Sequence, residues 1–193
     1  SRTGTIHYHD VRIAQHHVAT LKTHEQEVCG LKWSLDGRYL ASGGNDNLVC
    51  LWHISNSLSH EARPINTLRE HCSAVKAIAW CPWQSNLLAT GGGSADCNIK
   101  FWDVYSGQLI QSHDTKPQIS SLLWSKAYRE LISSHGFDQN QLSIWRYSDM
   151  SKVCDLKGHQ DRVLMMSMSP DEETVASSVV DETLHLCNCF ALD

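Results

Sequence analysis

The sequence predicts an all-β protein built from four copies of one four-stranded unit, and three observations carry that expectation. An apolar-led segment recurs as Val28-Cys29-Gly30-Leu31-Lys32-Trp33, Val75-Lys76-Ala77-Ile78-Ala79-Trp80, Ile119-Ser120-Ser121-Leu122-Leu123-Trp124 and Val163-Leu164-Met165-Met166-Ser167-Met168. A second segment ends in a small hydroxyl residue: Leu40-Ala41-Ser42, Leu88-Ala89-Thr90, Leu131-Ile132-Ser133, Val175-Ala176-Ser177. A third closes each copy: Leu51-Trp52, Phe101-Trp102-Asp103, Ile144-Trp145, Leu186-Cys187. Three features kept in one order at a spacing of about 44 residues mark an internal repeat.

Each copy divides into short strands. Apolar residues alternate with small or polar ones at Val28, Leu31 and Trp33, and again at Val49 and Leu51. Asp36-Gly37 and Pro170-Asp171 are tight-turn pairs between the first two strands of a copy. Gly43-Gly44 and Gly91-Gly92-Gly93 loosen the next connection. A further strand leads into each copy, at 18–21, 65–68, 108–112 and 152–156. The units so defined span 18–52, 65–102, 108–145 and 152–187. Ile6, Tyr8, His9 and Asp10, within 4–11, match the closing strand of a preceding unit, with His9 in place of Trp. No helical 3.6-residue period survives.

Composition excludes several function classes. The 193 residues carry a net charge of −5, from 16 basic and 21 acidic side chains. Nucleic acid and anionic membrane both need a basic face, so neither is expected as a partner. No apolar run is long enough to span a bilayer. The opening Ser1-Arg2-Thr3-Gly4 has no Met and no signal-peptide character, as expected of a fragment. The eight cysteines lack any C-x-x-C spacing and read as reduced thiols, mostly buried, in the nucleus and cytoplasm. His7 and His9 share a strand face, but His16 and His17 point to opposite faces, so no metal site is expected. Cys187 and Cys189 also share a face without further ligands. No nucleophile elbow or phosphate-binding glycine loop occurs, so neither an enzyme nor a cofactor is expected.

Units of this length, opening near His24, His71 and His159 and closing at Trp-Asp, resemble WD40 repeats. An Asp stands six residues before the closing position in three of them: Asp46, Asp96 and Asp181. The resemblance implies a β-propeller segment of four full blades plus the last strand of one before them, part of a propeller of about seven blades. It also implies buried hydrogen-bond chains: His24, Ser42, Asp46 and Trp52 in the first unit, and His71, Thr90, Asp96 and Trp102 in the second. A buried Asp needs donors, and imidazole, hydroxyl and indole N–H supply them. The third unit departs, with Thr115 at the His position, His113 two places away and Gln139 at the Asp position. The fourth keeps His159, Ser177 and Asp181 but has Cys187 for Trp, which predicts a weaker blade. Trp33, Trp52, Trp80, Trp102, Trp124 and Trp145 are expected in the core.

Four stretches are more particular. Ser42-Gly43-Gly44-Asn45-Asp46-Asn47-Leu48-Val49, Val75-Lys76-Ala77-Ile78-Ala79-Trp80-Cys81-Pro82-Trp83-Gln84, Leu88-Ala89-Thr90-Gly91-Gly92-Gly93 and His135-Gly136-Phe137-Asp138-Gln139-Asn140-Gln141-Leu142 resemble the Fizzy family, on its mitotic branch. Members of that family are WD40 activators and substrate receptors of the anaphase-promoting complex. The resemblance therefore implies recognition of short degrons in cell-cycle control, with anaphase-promoting complex subunits, degron-bearing substrates and spindle-checkpoint proteins as partners. It places Asn45, Asn47, Ser94, Gln118 and Arg162 on family positions for the Lys-Glu-Asn box. Amides suit a peptide backbone and an Asn side chain, and a guanidinium suits a Glu carboxylate. Glu182 matches the position facing the Arg of the destruction box. Asn45 and Asn47 also suit a Gly-rich turn on their own account. Family activators carry an N-terminal box and a C-terminal Ile-Arg tail, whereas this sequence ends Ala191-Leu192-Asp193. That difference supports a second expectation, a truncated or diverged scaffold that binds a partner without activating the ligase.

Overall fold

The computed structural model describes residues 1–57, 62–136 and 140–190. Gln139, Phe137 and Asp138 of the fourth particular stretch, and the terminal Ala191-Leu192-Asp193, lie outside the described residues. Among the described residues seventeen strands form five antiparallel sheets. β1 (Thr5–His9) pairs with β2 (His17–Lys22). The next sheet runs β3 (Val28–Trp33), β4 (Tyr39–Gly44), β5 (Val49–His53), β6 (Asn66–Leu68). Then come β7 (Val75–Trp80), β8 (Leu87–Gly92), β9 (Asn98–Asp103) and β10 (Leu109–Asp114). They are followed by β11 (Ile119–Ser125), β12 (Glu130–His135), β13 (Leu142–Arg146) and β14 (Ser151–Leu156). The last sheet has three strands, β15 (Val163–Met168), β16 (Thr174–Val179) and β17 (Leu184–Asn188). A four-residue helical turn, α1 (Ile54–Ser57), follows β5.

The repeat legible in the sequence is offset from the sheet by one strand. The strand expected to lead into each unit pairs instead with the closing strand of the sheet before it: β2 with β1, β6 with β5, β10 with β9, β14 with β13. The spans 18–52, 65–102, 108–145 and 152–187 each straddle two sheets. Short connections favour pairing of consecutive antiparallel strands, so the outermost strand stays with the strand that precedes it.

The core lies between sheets. Val49, Leu51 and Leu68 pack against Val75, Ile78, Trp80 and Leu88 of the next blade. Ala77, Leu87 and Phe101 meet Leu122, Trp124, Leu131 and Trp145. Ile132, Leu142 and Ile144 meet Val163, Met166 and Val175. Two indoles also tie neighbouring blades, Trp80 Nε1 donating to the Lys32 carbonyl at 3.0 Å and Trp124 Nε1 to that of Ala79 at 3.2 Å. Trp33 is the exception among the expected core tryptophans, 39% exposed and edge-on to Tyr8. At the other end Met165, Leu184 and Leu186 of the last sheet are exposed.

Two sequence expectations change here. Only Cys50 and Cys81 of the eight free cysteines are buried, because most of the others sit on loops or outward-facing strand positions. The glycine pairs do not loosen a connection; they end buried strands where blades approach closely. A Cβ at Gly43 would lie 2.3 Å from the Val75 carbonyl oxygen of the next blade. Backbone cannot step aside as a flexible side chain can, so Gly43→Ala is expected to cost about 1–3 kcal/mol by overpacking. A urea-denaturation midpoint equal to that of the wild type would show that this contact yields.

Candidate functional site

The hydrogen-bond chains come first, because they fix the loops. Trp52 Nε1 donates to Ser42 Oγ at 3.0 Å, Ser42 Oγ meets His24 Nε2 at 2.9 Å, and His24 Nδ1 meets the Asp46 carboxylate at 3.0 Å. Asp46 also accepts the backbone N–H of Glu25 and of Leu48. In the next sheet Trp102 Nε1 donates to Thr90 Oγ1 at 2.7 Å, Thr90 Oγ1 meets His71 Nε2 at 2.7 Å, and His71 Nδ1 meets Asp96. Burial acts to raise the Asp96 pKa. The hydrogen bond and charge of His71, with Lys100, outweigh it and hold the carboxyl below its usual range.

The third sheet builds its chain from a residue the repeat alignment missed. Trp145 Nε1 donates to Ser133 Oγ at 2.7 Å, Ser133 Oγ meets His135 Nε2 at 2.7 Å, and His135 Nδ1 meets the Gln118 carbonyl at 3.2 Å. His135 ends β12, two residues beyond Ser133 on the same strand face, and that spacing was the available signal. Thr115, aligned with the repeat histidines, bonds the carbonyls of Cys97 and Pro117 instead. His113 packs edge-on against Trp145. In the fourth sheet His159 Nε2 meets Ser177 Oγ at 2.8 Å, but Asp181 does not join them. Asp181 is exposed and accepts the N–H and hydroxyl of Thr183, leaving His159 Nδ1 buried without a hydrogen-bond partner. Cys187 has no indole to offer, and the His159 ring lies 4.5 Å from that of His185.

These chains support one loop surface. The residue before each inner strand is held through its carbonyl: Glu27 by the Asn45 N–H, Ala74 by the Gly93 N–H, Arg162 by the Val180 N–H, and Gln118 by the His135 imidazole. The residue after each repeat Asp, or its equivalent, adopts a left-handed backbone: Asn47 (φ 66°), Cys97 (φ 54°), Asn140 (φ 41°) and Glu182 (φ 67°). A turn requirement thus recurs at all four positions, and Asn47 meets it with a residue that tolerates this region. Asn45 and Ser94 are exposed, and Asn47 is half-buried.

Gln118 and Arg162, from adjacent blades, converge over Gly136. A Cβ there would lie 2.4 Å from Gln118 Nε2 and 2.6 Å from Arg162 Cγ and Cδ. A larger residue there would have to push both flexible side chains aside. Glu182 stands apart in the β16–β17 turn, exposed. The N-terminal histidines approach one another across the β1–β2 bulge, His9 Nδ1 lying 2.8 Å from His16 Nδ1. Among the described residues no three His, Cys, Asp or Glu side chains form a metal-holding group.

Blades of three or four antiparallel strands, packed face to face and pinned by Trp–hydroxyl–His chains, define a WD40 β-propeller segment. Residues 1–186 match the CDC20/Fizzy WD40 domain. The chain is 54% identical over 190 residues to "Anaphase-promoting complex subunit cdc20" of Dictyostelium discoideum, covering 98% of this chain and 38% of that protein. It is 55% identical over 190 residues to "Cell division cycle 20.1, cofactor of APC complex" of Arabidopsis thaliana, covering 98% and 42%. A chain of "Crystal Structure of Mitotic Checkpoint Complex" superimposes with a TM-score of 0.93 at 47% identity, over 99% of this chain and 58% of that one. The chain belongs to the CDC20/Fizzy WD40 family. It spans about two fifths of the length of the curated relatives it matches.

Proposed function

We propose that this chain is the degron-reading part of an activator of the anaphase-promoting complex. It holds an extended Lys-Glu-Asn-box peptide across Asn45, Asn47, Ser94, Gln118 and Arg162 and presents the substrate to the ligase. The convergence of Gln118 and Arg162 over Gly136 carries the reading. A carboxamide and a guanidinium brought together from two blades offer paired donors to a peptide carboxylate and carbonyl. The names of the relatives, cofactors and subunits of that complex, support the partner, and the checkpoint-complex neighbour supports checkpoint proteins as further partners. The propeller binds and carries no chemistry of its own. Glu182 contributes one side of a destruction-box contact.

One observation favours the scaffold reading instead: the fourth sheet has lost its Asp–His pairing and its indole, beside Glu182 and Arg162. Titration of a fluorescent Lys-Glu-Asn-box peptide into the chain separates the two. Micromolar binding that weakens at least tenfold, about 1.4 kcal/mol, in both Arg162→Ala and Asn45→Ala is the expected result. A folded chain that ignores the peptide supports the scaffold.

A further inference from the structure

Each inner strand carries the same irregularity one residue below the loop surface. Pairing skips from Val28 to Gly30, from Val75 to Ala77, from Ile119 to Ser121 and from Val163 to Met165. The skipped residues are Cys29, Lys76, Ser120 and Leu164. A bulge re-aims the side chain of its extra residue, and all four of these line one cavity of about 170 Å³ between the inner strands. Three carry no charge. Cys29 Sγ points to the Glu27 carbonyl, Ser120 Oγ donates to the Val163 carbonyl at 2.6 Å, and Leu164 is apolar.

Lys76 is the charged one of the four. Its Nζ crosses from β7 to β15 and donates to the Leu164 carbonyl at 3.0 Å. Leu164 is the second residue after Arg162, which immediately precedes β15. The ammonium therefore bonds a carbonyl two residues along the chain from Arg162, inward of the loop surface on which Gln118 and Arg162 converge.

We propose that Lys76 is a further specificity residue of the peptide face, meeting an acidic side chain of the bound peptide that reaches past Arg162 into the cavity between the inner strands. The inference rests on the peptide reading above and deepens it. Two neighbouring cations repel each other and attract a carboxylate. Burial pushes the Lys76 pKa below its ordinary value, and the Arg162 charge adds to that effect. An incoming carboxylate relieves both costs while the neutral Leu164 carbonyl does not. A Lys at the same peptide position would be rejected by the same pair.

The test compares a Lys-Glu-Asn peptide with a Lys-Gln-Asn peptide on the wild-type chain, Lys76→Met and Lys76→Arg. Wild type should prefer the Glu peptide, and Lys76→Met should lose about fivefold in affinity for it with little change toward the Gln peptide. Lys76→Arg should restore the preference. Equal weakening of both peptides in Lys76→Met would mark the lysine as a strut between β7 and β15 and overturn the role, as would no change at all. Wild type binding neither peptide would overturn the peptide reading itself. Wild type binding both, with no dependence on Lys76, would sink only this inference.

Discussion

Replacing Trp102 with Ala is expected to lower the unfolding free energy by about 3–5 kcal/mol. The ring is 1% exposed and packs among Val75, Ile78, Trp80, Leu88 and Val104 between two blades. Its removal opens a cavity and strips Thr90 of an indole donor. Trp102→Phe separates the two contributions. It keeps most of the apolar volume, loses the N–H, and should cost about 1–2 kcal/mol, the scale of one unsatisfied buried polar group. Urea denaturation of the three proteins provides the measurement. Phe and Ala variants of equal stability would mean that the hydrogen bond, not the ring, holds the site. In the fourth sheet the corresponding residue is already Cys187, half-buried, and the chain there is already broken at His159. Cys187→Ala should accordingly cost far less than Trp102→Ala.

Acid is expected to destabilise this protein chiefly through His135. Burial pushes its pKa down to about 4, and with Nδ1–H donated to the Gln118 carbonyl, neutral Nε2 accepts from Ser133. In the unfolded chain the imidazole titrates near its ordinary value of about 6.5. Between those values the unfolded state holds the extra proton, so stability is full above about pH 6.5 and falls as pH drops toward about 4. At about 1.4 kcal/mol per pH unit, the loss between pH 7 and pH 5 is about 2 kcal/mol from this group. Burial also lowers His113 and His159, which adds in the same direction. His135→Gln should be less stable than wild type at pH 7 yet show a shallower decline to pH 5. Parallel declines in the two proteins would remove His135 as the cause.

The sheet-forming pattern was legible because it is local. Alternation in Val49-Cys50-Leu51-Trp52, the Asp36-Gly37 turn and the closing Phe101-Trp102-Asp103 each follow from a few adjacent residues. The first two hydrogen-bond chains were legible for another reason: their His, hydroxyl, Asp and Trp stand at repeating intervals. The third chain was not legible by alignment. His135 enters from the end of a strand rather than from the preceding loop, and a repeat template looks only in the loop. Asp181 fits the template by position, yet its carboxylate finds Thr183 two residues away and turns outward. A local partner outcompetes a distant one when both are within reach.

The sequence by itself determined the architecture and the family. Period, turn chemistry and motif are properties of neighbours along the chain. Only the tertiary structure decided which side chains meet. It shifted the sheets by one strand from the repeats, turned the glycines into inter-blade contacts, gathered Gln118 and Arg162 over Gly136, and aimed Lys76 across to β15. The last three depend on how one blade faces the next. Packing between residues far apart in the chain sets that geometry, and no short-range pattern encodes it.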